Sequence, residues 1–223
     1  EPRPEAPAAP QIQTPVATPV TPPAHQPSDL PEGVVISPDE TQVALKNDAA
    51  IELIALDSSS TRIIPVPDEV GRPSDISWYP DSQHLLVTAV RGDEFALWKI
   101  ALESEEITLV TKHASRGRVA PNGKKIAYTL SNRSFPGSPI AIADIDGSNP
   151  TRVLTSALRV EGWLSDSSAL VYVAMQGDTP SAVGVANETM SRTVLVNKYL
   201  IRQGWVVGPL PGRSILYRLS DGN

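Results

Sequence analysis

Short runs of alternating apolar and polar residues recur along most of the chain, and a tight turn separates one run from the next. The clearest copy is Trp78–Val87, in which an apolar stretch ends at Tyr79, Pro80 and Asp81 form the turn, and a second apolar stretch begins at Leu85. Alternation with a period of two predicts half-buried strands. Proline presets φ and aspartate bonds its local backbone, so each turn joins two antiparallel strands.

This unit is repeated at a nearly constant interval. The copies start at Ile36, Trp78, Val119, Trp163 and Trp205, so the intervals are 42, 41, 44 and 42 residues. A period of about 40 to 45 residues with several strands per repeat is typical of β-propeller blades. The sequence therefore predicts an all-β propeller of four-stranded antiparallel blades over residues 32–223, with blades at about 33–70, 71–112, 113–155 and 156–197 and a partial fifth at 198–223.

The fifth repeat supplies only two apolar runs, Ile201–Val207 and Ser214–Leu219. Propellers hide their sheet edges by closing a ring of about 4 to 8 blades. Four to five blades therefore predict a piece of a larger ring with more chain beyond Asn223. A closed ring of four blades is the alternative.

Residues 1–31 have a different composition, because they hold ten of the 22 prolines and almost no large apolar side chains. Such a segment cannot bury enough surface to offset its ordering entropy, and prolines favour extended polyproline II. We interpret it as a disordered, semi-rigid spacer. A docking motif for SH3-like or WW-like partners is the alternative, and the start at Glu1 without Met suggests a processed product or a piece of a longer chain.

We interpret the repeated polar and aromatic residues as structural, in preference to a role in binding. Turn carboxylates that recur in every blade need only bond their own backbone, although a ring of them at a pore mouth could recruit a cation. Tryptophans at one repeat position suit packing between blades, although they could also stack on a ligand. The predicted turn residues are Pro38, Asp39, Pro80, Asp81, Pro121, Asn122 and Asp166, and the predicted packing residues are Trp78, Trp98, Trp163 and Trp205.

Composition and motifs argue against several kinds of chemistry. A net charge of -6 and a pI near 5.1 disfavour nucleic acid and anionic membranes as partners, and there is no cysteine. No apolar run approaches the roughly 18 residues of a membrane helix. The three histidines are scattered, at His25, His84 and His113, and neither a Gly-x-Ser-x-Gly elbow nor a glycine-rich phosphate loop occurs.

We therefore predict no catalytic residue, no cofactor and no metal ligand, and hence not an enzyme. One basic cluster remains, and on an acidic chain it is interpreted as solvated turn residues rather than a nucleic-acid patch. Its members are Arg116, Arg118, Lys124 and Lys125.

The segment Ala120–Tyr128 resembles the Ser-Pro-Asp-Gly-Lys-x-Ile-Ala-Tyr element of TolB-like, WD-repeat-like β-propellers, and Ile142–Leu154 is similar to their outer-strand element. The resemblance covers about residues 33–219. It departs from the family where glycine is missing after Asp39, Asp81 and Asp166. A proline-rich tether before such blades also resembles the extracytoplasmic half of bacterial signalling proteins that carry a kinase or a CadC-like winged-helix domain and one membrane helix upstream.

The resemblance implies a non-catalytic sensing or interaction module outside the cytoplasm, which binds a protein or peptide on the propeller loop face and is anchored to a membrane upstream. Two alternatives stay open. One is the gating propeller of a prolyl-oligopeptidase-like serine peptidase whose catalytic domain lies outside this chain. The other is a TolB-like periplasmic scaffold.

Overall fold

The computed structural model describes residues 34–58, 60–131, 138–155, 158–176, 179–189, 191–194, 205–208 and 215–218, and these residues form strands, turns and loops without a helix. The predicted spacer, residues 1–31, lies outside the described residues. The strands are β1 Val35–Ile36, β2 Gln42–Lys46, β3 Ala50–Ala55, β4 Thr61–Pro65, β5 Arg72–Trp78, β6 His84–Arg91, β7 Glu94–Ala101, β8 Ile107–Lys112, β9 Ala114–Val119, β10 Lys125–Leu130, β11 Ile140–Asp144, β12 Thr151–Leu154, β13 Leu158–Trp163, β14 Leu170–Gln176, β15 Thr179–Ala186, β16 Ser191–Val194, β17 Trp205–Gly208 and β18 Ile215–Arg218.

These strands form four consecutive antiparallel sheets of four, each in chain order, followed by the hairpin β17–β18. We call the sheets blade 1 (β1–β4), blade 2 (β5–β8), blade 3 (β9–β12) and blade 4 (β13–β16). The prediction of an all-β fold built from propeller blades is confirmed. The first strand is short: β1 pairs only at Val35 with Ala44 and Ile36 with Val43.

The core is divided into three apolar clusters, and each lies between two successive blades. Blades 1 and 2 bury Ile51, Ile64, Leu85 and Val87. Blades 2 and 3 bury Leu86, Leu97 and Ile126 among others, and blades 3 and 4 share a third cluster. The strand β6 supplies Leu85 to one cluster and Leu86 to the next, so both of its faces are covered. Its near-continuous apolar run follows from this two-sided burial.

The first strands of successive blades contact one another, β1 with β5, β5 with β9 and β9 with β13. We call these four the inner strands. Because strand direction alternates, the turns between the first two and the last two strands of each blade lie at one end, the Asp-turn face. The connections between blades and the β6–β7 turn lie at the other end, the connection face.

The inner strands of blades 2, 3 and 4 each carry one more residue than the partner strand. The register shifts between Pro73 and Asp75 in β5, between Ser115 and Arg118 in β9, and between Val160 and Gly162 in β13. Such bulges re-aim the side chains beside them. The extra residue in each inner strand therefore changes which side chains face away from the apolar clusters.

Candidate functional site

The turn carboxylates on the Asp-turn face bond their own turns. Asp39 Oδ1 accepts hydrogen bonds from Ser37 Oγ at 2.6 Å and from Thr41 N at 3.1 Å. Asp81 accepts from Gln83 N at 2.9 Å and from His84 Nδ1 at 2.7 Å. These contacts occupy the carboxylates locally, which is the arrangement that a turn of this type produces.

The two later turns have the same geometry. Asn122 Oδ1 accepts from Lys124 N at 3.0 Å, and Asp166 Oδ1 accepts from Ser168 N at 2.9 Å. Hydrogen bonds from Ser168 lower the pKa of Asp166, and hydrogen bonds from Ser37 and Thr41 lower the pKa of Asp39. For Asp81, desolvation acts to raise the pKa, but the hydrogen bonds from Gln83 and His84 outweigh it and the pKa is lowered.

The residue after each turn Asp or Asn has a left-handed backbone, whether or not it is glycine. The φ values are 58° at Glu40, 55° at Ser82, 68° at Gly123 and 62° at Ser167. Both serines use their side chains across a blade junction: Ser82 Oγ accepts from Asp39 N at 3.1 Å and Ser167 Oγ accepts from Asn122 N at 3.0 Å. At two of the three turns that lack this glycine, serine therefore supplies a bond between blades.

Two of the repeated tryptophans link neighbouring inner strands. Trp78 Nε1 donates to the carbonyl of Val35 at 2.9 Å, and Trp163 Nε1 donates to the carbonyl of Arg118 at 2.9 Å. Trp78 is buried in the cluster between blades 1 and 2, and Trp163 packs against the cluster between blades 3 and 4. Both indole rings therefore pack between blades and use their N–H groups in a hydrogen bond within the protein.

The remaining tryptophans are placed differently. Trp98 lies in β7, is partly buried and packs against the cluster of blades 1 and 2, and its buried indole N–H has no hydrogen-bond partner among the described residues. Trp205 is the first residue of β17 and pairs with Arg218, but its side chain lies outside the described part.

Five charged side chains converge on the inner strands of blades 2, 3 and 4. We call them the inner-strand charge cluster, and its members are Asp75, Arg116, Arg118, Arg159 and Glu161. Arg118 Nη1 lies 2.5 Å from Asp75 Oδ2, joining blade 3 to blade 2, and Arg159 pairs with Glu161 within β13. The four paired side chains are only 21 to 29% exposed, which makes these pairs more shielded than ordinary surface ion pairs.

Arg116 stands apart within this cluster. Its side chain is exposed and has no hydrogen-bond or ion-pair partner among the described residues, and its backbone is left-handed with φ 53°. Desolvation by the surrounding protein, followed by the guanidinium of Arg159, lowers the pKa of Arg116. Asp75 and Glu161 act on Arg116 in the opposite direction, but each of them already pairs with another arginine, so the cluster carries one excess positive charge.

The predicted basic cluster does not exist as a unit. Arg116 and Arg118 lie on the inner strand β9 and not in a solvated turn, because the strand runs through Val119 before the turn begins. Lys124 is in the turn, while Lys125 Nζ pairs with Asp144 at 3.0 Å and Glu188 at 2.9 Å.

Sequence reasoning missed Asp75, Arg159 and Glu161 as partners of these arginines. The sequence did contain a signal for them. These charged residues lie within otherwise apolar predicted strands, and they recur in the first strand of successive repeats. Nothing in the sequence indicated that a bulge would bring them together.

Two pockets open on opposite faces. A pocket of about 400 Å³ lies on the Asp-turn face between blades 1 and 2, where Gln42, Gln83 and Leu102 line it. One of about 240 Å³ lies on the connection face, and its charged rim includes Glu69, Glu94 and Lys112. Within the described ranges, no group of three or more histidine or acidic side chains is placed to hold a metal ion.

No protein-family model matches the chain, and no curated protein matches it. Solved structures do. TolB from Acinetobacter baumannii aligns with a TM-score of 0.60 at 14% identity, over 85% of this chain and 47% of that one. Oligogalacturonate lyase from Vibrio parahaemolyticus aligns with a TM-score of 0.60 at 17% identity, over 79% and 57%. Acylaminoacyl peptidase from Pyrococcus horikoshii aligns with a TM-score of 0.52 at 16% identity, over 79% and 32%.

These likenesses show the fold, a TolB-like β-propeller, and the chain spans about half the length of the first two of these structures. Their functions differ, as is common for propellers. The described strands and loops include no helix that is long and apolar enough to span a membrane.

Proposed function

We propose that this TolB-like β-propeller is a non-catalytic recognition module, which binds a protein or peptide partner at its connection face. The observation that carries the proposal is the inner-strand charge cluster. Three separate apolar clusters already hold the blades together. Partly buried charges on the inner strands are therefore costly to stability rather than needed for it, and binding a partner is a reason to keep them.

Two arginines of the cluster lie in the first half of their strands, toward the connection face. Arg116 is the third residue of β9, and Arg159 is the second of β13, and both strands start at that face. The pocket rimmed by Glu69, Glu94 and Lys112 opens on the same face. A partner that covered this end of the blades would reach both features.

The proposal also places the module outside the cytoplasm, tethered through residues 1–31 to a membrane anchor upstream. The support for this part is the resemblance to TolB-like propellers and the proline-rich composition of the tether. Sensing follows from such an arrangement, because a tethered domain can report a binding event to whatever precedes it in the chain.

A gating propeller of a serine peptidase is the second candidate, favoured by the likeness to acylaminoacyl peptidase. In that case the partner of the connection face would be a hydrolase domain of the same polypeptide. A periplasmic scaffold, favoured by the likeness to TolB, would instead bind a separate envelope protein.

Photo-crosslinking in the native host tests these candidates. Glu94 and Glu103 are matched positions, because both are exposed glutamates, one the first residue of β7 and the other in the turn that follows Ala101 at its far end, about 25 Å away. A photoreactive residue at Glu94 in the natural full-length protein is expected to give a discrete adduct with another protein, and the same residue at Glu103 is not.

Equal labelling from both positions, or none from Glu94, would contradict the proposal. An adduct that forms only within one polypeptide would favour the peptidase alternative instead. Circular dichroism of both variants checks that each one folds.

A further inference from the structure

We infer that Arg116 is the receptor for a carboxylate group of the partner, held at the inner-strand charge cluster. The inference deepens the proposed function and rests on it, because it names the chemistry by which the partner is recognised. It is based on three observations: the balance of charges in the cluster, the left-handed backbone of Arg116 and the shape of its guanidinium group.

The count of charges leaves one cation over. Asp75 is taken by Arg118 and Glu161 by Arg159, so within the inner-strand charge cluster Arg116 is the member without an ion-pair partner among the described residues. The lowered pKa of Arg116 agrees, because desolvation and the neighbouring Arg159 outweigh the opposing effect of Asp75 and Glu161. A bound anion would favour the charged form of Arg116 and so offset both of the unfavourable effects.

The backbone at Arg116 is an outlier for a large side chain. Its φ of 53° lies in the left-handed region, although glycine is the next residue. Gly117 is not free to be replaced, since a Cβ there would meet Leu86 Cδ2 at 2.7 Å and Leu97 Cδ1 at 3.0 Å. Packing of Gly117 between these leucines thus fixes the strand while Arg116 adopts the strained conformation, and strain of this kind is concentrated at functional sites.

A carboxylate suits the site better than a phosphate does. A guanidinium presents two parallel N–H donors that match the two oxygens of a carboxylate. The cluster has three arginines and two carboxylates, so its excess charge is a single positive one. A phosphate dianion would lie near Asp75 and Glu161 with no second free cation to balance it.

The test follows the side-chain Nε–Hε signals of arginine by NMR in the full chain, at constant ionic strength, while chloride is replaced by acetate. The Arg116 signal is identified by its loss in Arg116→Lys. We expect it to shift in a saturable way at about a tenfold lower acetate concentration than the signal of Arg72, an exposed arginine whose counter-ion is the exposed Asp48. Inorganic phosphate, titrated separately, should give the weaker response.

Two further probes identify the source of the carboxylate. N-acetylglycine presents the carboxylate of a chain terminus, and N-acetylglutamate amide presents that of an acidic side chain. Whichever shifts the Arg116 signal at the lower concentration names the group that the partner supplies.

The variant Arg116→Asn guards against a merely structural effect, since asparagine tolerates left-handed backbone but carries no charge. It should melt no lower than the wild type and should lose the acetate response at the backbone amide of Gly117. Arg72→Asn is the matched control and should keep that response.

Equal acetate shifts at Arg116 and Arg72, a stronger response to phosphate, or an acetate response at Gly117 that survives Arg116→Asn would each overturn the inference. The result of the acetate titration can be distinguished from the result of the crosslinking experiment that tests the proposed function. An adduct at Glu94 without any carboxylate response would leave the recognition module standing and remove only the role of Arg116.

Discussion

The junctions between successive blades are of two kinds. At the junctions of blades 1 and 2 and of blades 3 and 4, a tryptophan donates to an inner-strand carbonyl and a serine accepts from a turn amide. At the junction of blades 2 and 3 the same two repeat positions hold Val119 and Gly123. That junction is bridged instead by the ion pair of Asp75 and Arg118 and by Ser77 Oγ, which accepts from Val119 N at 3.4 Å.

The difference separates stability from function. At the tryptophan junctions, Trp78 and Trp163 pack against an apolar cluster and bond their indole N–H groups, which is what packing requires. The middle junction has no tryptophan at this position; its cluster buries Tyr79 and Tyr128, and the Asp75–Arg118 pair adds a link, with Arg116 beside it. The repeat positions that keep tryptophan and serine thus hold neighbouring blades together. The blade in which valine and glycine replace them carries the candidate site.

The largest expected effect concerns the repeat position of the tryptophans. Trp78→Ala should lower the free energy of unfolding by about 3 to 5 kcal/mol, because it leaves a cavity and an unbonded carbonyl at Val35. Val119→Ala, at the equivalent position of the middle junction, should cost about 1 kcal/mol, since it removes two half-buried methyl groups. Denaturant unfolding measures both, and similar losses would mean that the two kinds of junction do not differ.

Glycines on blade 3 probe the middle junction next. At Gly147, φ is 85° and a Cβ would lie 2.3 Å from the carbonyl oxygen of Val110 in blade 2. Gly147→Ala should therefore cost about 2 to 3 kcal/mol through strain and a backbone clash.

Gly123→Ala is the matched control, because φ is 68° but the nearest atom to a Cβ is Pro80 Cγ at 3.7 Å. It should cost only about 1 kcal/mol. Equal losses from the two alanines in thermal unfolding would show that blade contact at Gly147 does not matter.

The ion pairs at two junctions should differ in their coupling free energy, which is a smaller effect. Arg118 with Asp75 joins blades 3 and 2, and Arg62 Nη2 with Glu105 Oε1, at 2.8 Å, joins blades 1 and 2. Double-mutant cycles should give a coupling of about 1 kcal/mol for the first pair, which is mostly buried, and about 0.3 kcal/mol for the second, whose side chains are nearly half exposed. A stronger coupling for Arg62 and Glu105 would contradict the assignment of the middle junction to charge.

The smallest effect is one of pH. Asp39 and Asn122 occupy the same repeat position at the two tryptophan junctions, and only Asp39 titrates. Hydrogen bonds from Ser37 and Thr41 lower the pKa of Asp39 in the folded state. Its stabilisation is therefore present above the unfolded pKa, about 3.9, and is lost as the pH falls through the folded pKa.

Melting temperatures of wild type and Asp39→Asn, compared from pH 6 down to pH 3, should show an advantage of the wild type that shrinks below about pH 4. Asn122→Asp is the mirror variant and should acquire the same dependence. A difference between wild type and Asp39→Asn that does not change with pH would rule out the carboxylate as its source.

The sequence by itself determined the repeat, the strand order within each blade and the turns. These features depend on interactions within a few residues, such as proline at a turn or Asp81 bonding Gln83 N, so each copy carries its own evidence. Two-sided burial of β6 was not predicted, because the sequence analysis expected half-buried strands, although the almost unbroken apolar run of β6 carries that signal.

Only the tertiary structure decided which side chains meet across blades. The bond of Trp78 to Val35, the serine bridges and the pair of Arg118 with Asp75 join residues 43 to 45 positions apart. Their meeting depends on the angle between blades and on one extra residue in each of three inner strands, and neither leaves a periodic signal. Arg116 shows this most clearly: its left-handed backbone falls at the register shift of β9, next to Gly117, which packs against Leu86 and Leu97, and beside two completed ion pairs.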